Sequence, residues 1–272
     1  MTLASDVRRP AVAGRFYPDD PAALDEEVQR FLAGGAAAER RLAVMAPHAG
    51  YVYSGGIAGR VFAATEVPRR VIVLAPNHTG RGKWGAVWTR GAFELPGFTI
   101  PVDEALCAAL TAGKGPLAHD REAHRLEHAL EVELPFLRAR RADLQLTPII
   151  LGPLELDECL DVGARLARAV EALGEDVLVV ASSDMNHYLS DEETRRIDHR
   201  ALEPLLALDA ERLYRTVRDE DISMCGVVPA TAMLAYARAR HATRADLVGY
   251  ATSGDAFGER DRVVGYAGVT IV

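Results

Sequence analysis

The sequence predicts an α/β fold: one domain over residues 1–272, with a central, mostly parallel sheet flanked by helices. Three observations predict it. Four short apolar runs, Leu42 to Ala46, Val71 to Ala75, Leu146 to Leu151 and Val177 to Ala181, are rich in Val, Ile and Leu. None alternates with polar residues, as expected of strands buried on both faces. Helix-like stretches separate the runs, the pattern that builds a parallel sheet with helices on both sides. No Pro-, Ser- or Gly-rich linker divides the chain into halves.

In chain order, the first helix runs from Pro21 to Leu32. Asp20 is placed to cap it, Pro21 fits its first turn, and Leu24, Val28, Phe31 and Leu32 share one face, with Gly34 and Gly35 ending it. Further helices are expected over Ser54 to Ala64, Asp103 to Ala112, Leu126 to Arg140 and Asp157 to Leu173, and an Ala-rich helix after Cys225. In the Leu126 to Arg140 stretch, Leu126, Leu130, Leu134 and Leu137 would face the core, and a solvated acidic face is the plain alternative to a site role for its glutamates Glu127 and Glu131. His119, His124 and His128 form a local cluster, or His124 and His128, four residues apart, sit on the surface of that helix. A strand pair, Leu247 to Thr252 and Val263 to Val272, closes the chain around a Gly254–Gly258 turn.

The bulk properties narrow the function. With 272 residues and 49% hydrophobic content, the chain can bury one large core. A formal charge of -8, with no basic cluster or aromatic stacking motif, argues against nucleic acid as a partner. Cys107, Cys159 and Cys225 are few, odd in number and far apart, the usage of a reducing compartment. Met1 to Pro10 lacks the apolar core of a signal peptide and no apolar run reaches membrane-spanning length, so a cytoplasmic protein is expected. No Gly-x-Ser-x-Gly elbow, phosphate-binding Gly-Lys-Ser/Thr loop or dinucleotide fingerprint is present.

The chemistry concentrates at the strand ends. Three apolar runs finish at an alanine followed by a short turn and a histidine: Ala46-Pro47-His48, Ala75-Pro76-Asn77-His78, and Ala181 through Asn186 to His187. Ligands of open α/β sheets sit outside the carboxyl ends of the strands, so these three histidines should share a pocket. Imidazole both ligates Fe, Zn or Cu and moves protons near neutral pH. Asp184, Asp255 and Glu127 beside His128 are the candidate carboxylates, although Asp184 could equally cap a helix. Tyr51 and Tyr53 either line the pocket or pack, and Cys225 is either a small core residue or a site-lining thiol.

The motifs resemble the Memo family over almost the whole chain. They run from Pro10-Ala11-Val12-Ala13-Gly14-Arg15-Phe16-Tyr17-Pro18 through Ala46 to Gly55, Pro76 to Gly80, Glu127 to Leu137, Ser182 to Tyr188, Cys225-Gly226 and Tyr250 to Asp255. The resemblance implies a fold similar to class III extradiol dioxygenases and a metal-dependent, dioxygenase-like oxidoreductase acting on a small substrate. A non-catalytic binding or scaffold protein and a metal-dependent hydrolase are its alternatives. It implies a metal ion, Fe(II) first and Cu or Zn otherwise, held by His48 and His78. For a third ligand near Tyr250 to Ser253 the chain offers Asp255 and no cysteine. His187 becomes the acid/base residue, grouped with Asp184 and His128 as catalytic residues. Bacterial and archaeal members of the family also imply AMMECR-like and radical-SAM partner proteins.

Overall fold

The computed structural model describes residues 6–34 and 36–272. Gly35, one of the two glycines expected to end the first helix, and the first five residues of the polar start lie outside the described residues.

The chain begins with β1 (Val7–Arg8), α1 (Pro21–Leu32), β2 (Glu39–Arg40) and β3 (Ala43–Ala46), then α2 (Tyr51–Ala63), β4 (Thr65–Glu66) and β5 (Arg70–Pro76). Three short strands follow, β6 (Gly85–Val87), β7 (Ala92–Leu95) and β8 (Phe98–Pro101), then α3 (Glu104–Thr111) and β9 (Ala118–His119). After a 3-10 turn at Glu131–Glu133 come α4 (Leu134–Arg140), β10 (Gln145–Leu151), α5 (Leu156–Leu173), β11 (Val177–Ser182) and β12 (His187–Leu189). The chain closes with α6 (Asp191–Leu206), α7 (Ala210–Asp219), α8 (Val227–Ala239), β13 (Ala245–Thr252), α9 (Ser253–Phe257) and β14 (Val263–Ile271).

The four non-alternating runs form the middle of the main sheet as β3, β11, β5 and β10, paired in parallel in that order. Every residue of β3 and β11 is buried, which is why neither needs a polar face. Outside this centre most pairings are antiparallel, β9 beside β6 being parallel. β14 runs against β3, β12 and β13 against β14, and β6 against β10. The sheet is therefore mixed, parallel only where crossover helices join its strands. One helical layer is α8 against β3, β5 and β11, with α5 and α7 behind it. The other is α2 against β3, β13 and β14, with α1 and α4 behind it. Gly163 lets α5 and α8 touch, since a Cβ there would lie 2.6 Å from the Ala232 carbonyl oxygen.

The expected helix over Leu126 to Arg140 begins only at Leu134. Before it, side chains bind backbone in place of a helical ladder: Glu127 accepts from Ala129 N, and Glu131 accepts from Ala11 N and Val12 N across the chain. Glu127 and Glu131 are buried, contrary to a solvated face, and Leu126 is exposed instead of facing the core. His124 is buried too, with its Nε2 against the Ala86 carbonyl. The Gly254–Gly258 turn is the short helix α9, closed by a capping box between Thr252 and Asp255. No helix among the described residues is long and apolar enough to cross a membrane.

Candidate metal centre

Strand register brings the site together. Ala46 of β3 pairs with Ser182 of β11, so His48 and Asp184, each two residues further on, leave the sheet at one level. The His48 amide donates to Asp184 Oδ1 at 2.8 Å. β5 ends beside β11, and His78 follows Pro76 by two residues. The backbone amide of His78 donates to Glu127 Oε2 at 2.6 Å, tying this loop to the segment before α4. That segment carries His128.

The rings of His48, His78 and His128 converge. Their centroids lie 5.2, 5.4 and 4.7 Å apart, and one ring nitrogen from each can lie within 4.8 Å of the other two. Two of the rings are hydrogen-bonded from behind, and the third lies beside a carboxylate. His48 Nδ1 is 2.8 Å from Ser182 Oγ, His78 Nδ1 is 2.9 Å from Glu127 Oε1, and His128 Nδ1 is 3.3 Å from the same carboxylate oxygen. With Nδ1 hydrogen-bonded on His48 and His78, their Nε2 atoms face the other rings' side of the site, that of His48 with Cys225 Sγ also within reach. Outer-shell partners of this kind set the tautomer and orientation of metal-binding histidines.

Charge follows from the surroundings. Burial, reinforced by the neighbouring rings, lowers the pKa of His48. Burial also lowers that of His128. Burial works against charge on His78 as well, but the hydrogen bond and negative charge of Glu127 prevail and raise its pKa.

The triad floors a cavity of about 720 Å³, also lined by Phe16, Tyr53, Asp184, His187 and Tyr188. His187 thus shares the cavity but stands outside the group of three. Its Nδ1 donates to the Ser223 carbonyl at 2.8 Å, which leaves Nε2 as its basic nitrogen. Burial lowers its pKa. Asp184 lines the same cavity, and burial pushes its carboxyl up to about 7. Tyr53 lines the cavity, whereas Tyr51 packs below it and donates to the Val132 carbonyl.

Asp255 is not brought to the histidines. Its carboxylate accepts from the Thr252 amide at 2.9 Å and is clamped by Arg195 at 2.7 and 2.9 Å, with Arg260 at 3.3 Å. A carboxylate spent on a helix cap and two guanidinium groups has no lone pair turned to the site. His128, expected among the catalytic residues, occupies the third position of the triad. Cys225 is drawn in as well: its Sγ lies 3.3 Å from His48 Nε2. Gly226 allows this approach, because a Cβ there would meet Ser183 Cβ at 2.3 Å. The signal for Cys225 was its place beside a glycine at the start of a helix. For the glutamates behind the rings no periodic signal existed.

Comparison with known proteins agrees along the chain. A family described as Memo-like protein matches residues 8–270. A MEMO1 family protein of Aquifex aeolicus is 39% identical over 267 residues, covering 97% of this chain and 98% of the relative. One from Archaeoglobus fulgidus is 39% identical over 263 residues, covering 97% and 98%. One from Methanothermobacter thermautotrophicus is 34% identical over 273 residues, covering 96% and 99%.

Proposed function

The chain belongs to the Memo-like family, and from that premise we propose that its histidine cavity is a metal-dependent oxidoreductase site for a small substrate, with iron as the first metal and copper or zinc as alternatives. One observation carries the reading: three imidazoles converge, two of them hydrogen-bonded from behind through Nδ1 and the third beside the Glu127 carboxylate. The donor set fits the group, since neutral imidazole suits Fe, Cu and Zn and burial favours the neutral ring at His48 and His128. A bound ion would supply Lewis acidity there, and iron or copper would add redox chemistry.

The remaining roles fall to the chain itself. His48, His78 and His128 bind. His187, with Nδ1 anchored on Ser223, takes up and returns a proton at Nε2. Asp184 holds the His48 loop through its amide and presents a second proton-accepting group on the cavity wall. The small substrate, and the AMMECR-like and radical-SAM partner proteins, enter this proposal from the family resemblance alone.

A specific observation favours a second reading. The triad contains no carboxylate, and three-histidine sets hold zinc in sites that activate water, so a metal-dependent hydrolase fits the same residues. Reconstitution with Fe²⁺, Cu²⁺ or Zn²⁺ in turn, followed by a metabolite screen with and without oxygen, separates the two. Oxygen-dependent turnover lost in His187→Ala supports the oxidoreductase. Oxygen-independent turnover with zinc supports the hydrolase. Absence of turnover with every metal overturns both and leaves a binding protein.

A further inference from the structure

Behind His48, the Ser182 hydroxyl oxygen has three close neighbours. His48 Nδ1 lies at 2.8 Å, Glu133 Oε1 at 2.7 Å and the Ala129 carbonyl oxygen at 2.8 Å. All four residues are buried. A serine hydroxyl has one hydrogen and two lone pairs, and a carbonyl oxygen can only accept. The Ala129 contact therefore takes the one hydroxyl hydrogen. The other two contacts are hydrogen bonds only if His48 and Glu133 bring hydrogens of their own.

We propose that Glu133 is a positioning residue: as a neutral carboxylic acid it donates to Ser182, whose remaining lone pair accepts from His48 Nδ1–H, so that the unprotonated Nε2 of His48 is turned to the site. One further observation agrees with this count. Glu133 Oε2 is buried without a partner, which costs far less for the carbonyl oxygen of a neutral acid than for a charged carboxylate. Burial also raises the pKa of Glu133 well above the carboxylic range, although the Ser182 hydrogen bond pulls the other way.

The functional weight of this relay rests on the reading of His48 as a metal ligand, but the tautomer does not depend on any metal. Nitrogen-15 NMR of the histidine rings in the metal-free protein, joined to infrared difference spectra of wild type against Glu133→Gln, tests it directly. Expected are a protonated Nδ1 and bare Nε2 on His48, and a carboxylic-acid carbonyl band that vanishes in the variant. Glu133→Gln, whose amide still donates, keeps both tautomer and Zn²⁺ affinity. Ser182→Ala mixes the tautomers and weakens Zn²⁺ binding roughly 10-fold or more. A His48 protonated at Nε2 in wild type, a carboxylate band at Glu133, or equal loss of affinity in Glu133→Gln and Ser182→Ala overturns the relay. If wild type binds no Zn²⁺ while the tautomer is as expected, the relay stands and the metal reading falls.

Discussion

Two acidic regions border the cavity and treat their carboxylates in opposite ways. Between residues 127 and 133, three glutamates are buried and each is spent inside the protein. Glu127 holds His78 and His128, Glu133 meets Ser182, and Glu131 receives Arg8, Tyr17 and two backbone amides. Near α9, the largely buried Asp191 and the exposed Asp255 instead share Arg195 and Arg260, whose guanidinium groups reach the surface. The first region fixes ring nitrogens from behind. The second ties α6 to the α9 segment and leaves the triad untouched. What a carboxylate can do is decided by which groups already occupy its lone pairs, more than by its distance along the chain from a histidine.

The largest expected effect lies in the first region. Glu131→Ala leaves Arg8 buried with its charge unpaired, and urea denaturation should register a loss of about 3–5 kcal/mol. A loss under about 1 kcal/mol, the size of a surface pair, would erase the contrast between the regions.

Asp198, on α6, sharpens the comparison from the other side, because it is a buried carboxylate with no guanidinium among the described residues hydrogen-bonded to it. It accepts from the Asn186 amide at 2.8 Å and from the Tyr250 hydroxyl at 2.6 Å. Burial nevertheless pushes its pKa up to about 6 from the ordinary 3.8, so the folded state favours the protonated form. Its contribution to stability is then complete below the unfolded pKa, near 3.8, and is lost as pH rises through about 6. Asp198→Asn should gain on wild type between those limits by on the order of 2–3 kcal/mol. Parallel stability curves across that range would contradict the assignment.

Glu127→Ala should weaken metal binding by roughly 10- to 100-fold, measured by competition with a chelator, because the His78 ring and amide lose the carboxylate that holds them and His128 loses its charged neighbour. The smallest effect is expected at Asp255→Ala. Losing an exposed ion pair and a cap should cost about 1 kcal/mol in thermal or urea unfolding and leave metal affinity unchanged.

The same contrast explains what could be read in the sequence. His48 and His78 were legible because each follows a non-alternating run and a proline-containing turn, so the fold rule for strand ends applied to them. The central parallel strands were legible for the same reason. The antiparallel flanks were less so, since β6 and β12 are only three residues long and carry no pattern of their own. The Leu126 to Arg140 stretch mimicked an amphipathic helix, and its glutamates looked solvated. Their burial depends on Arg8, Ala11 and Tyr17, more than a hundred residues earlier, which no local period records. Asp255 looked available because it follows β13 closely, while Arg195, which occupies it, comes from a different helix.

The central claim is that three histidines, and no aspartate, form the metal centre. Metal content per chain after reconstitution, compared across wild type, His128→Ala and Asp255→Ala, tests it most directly. The structure predicts a single bound ion in wild type and in Asp255→Ala, and its loss in His128→Ala. Retention of the ion in His128→Ala together with its loss in Asp255→Ala would contradict the account.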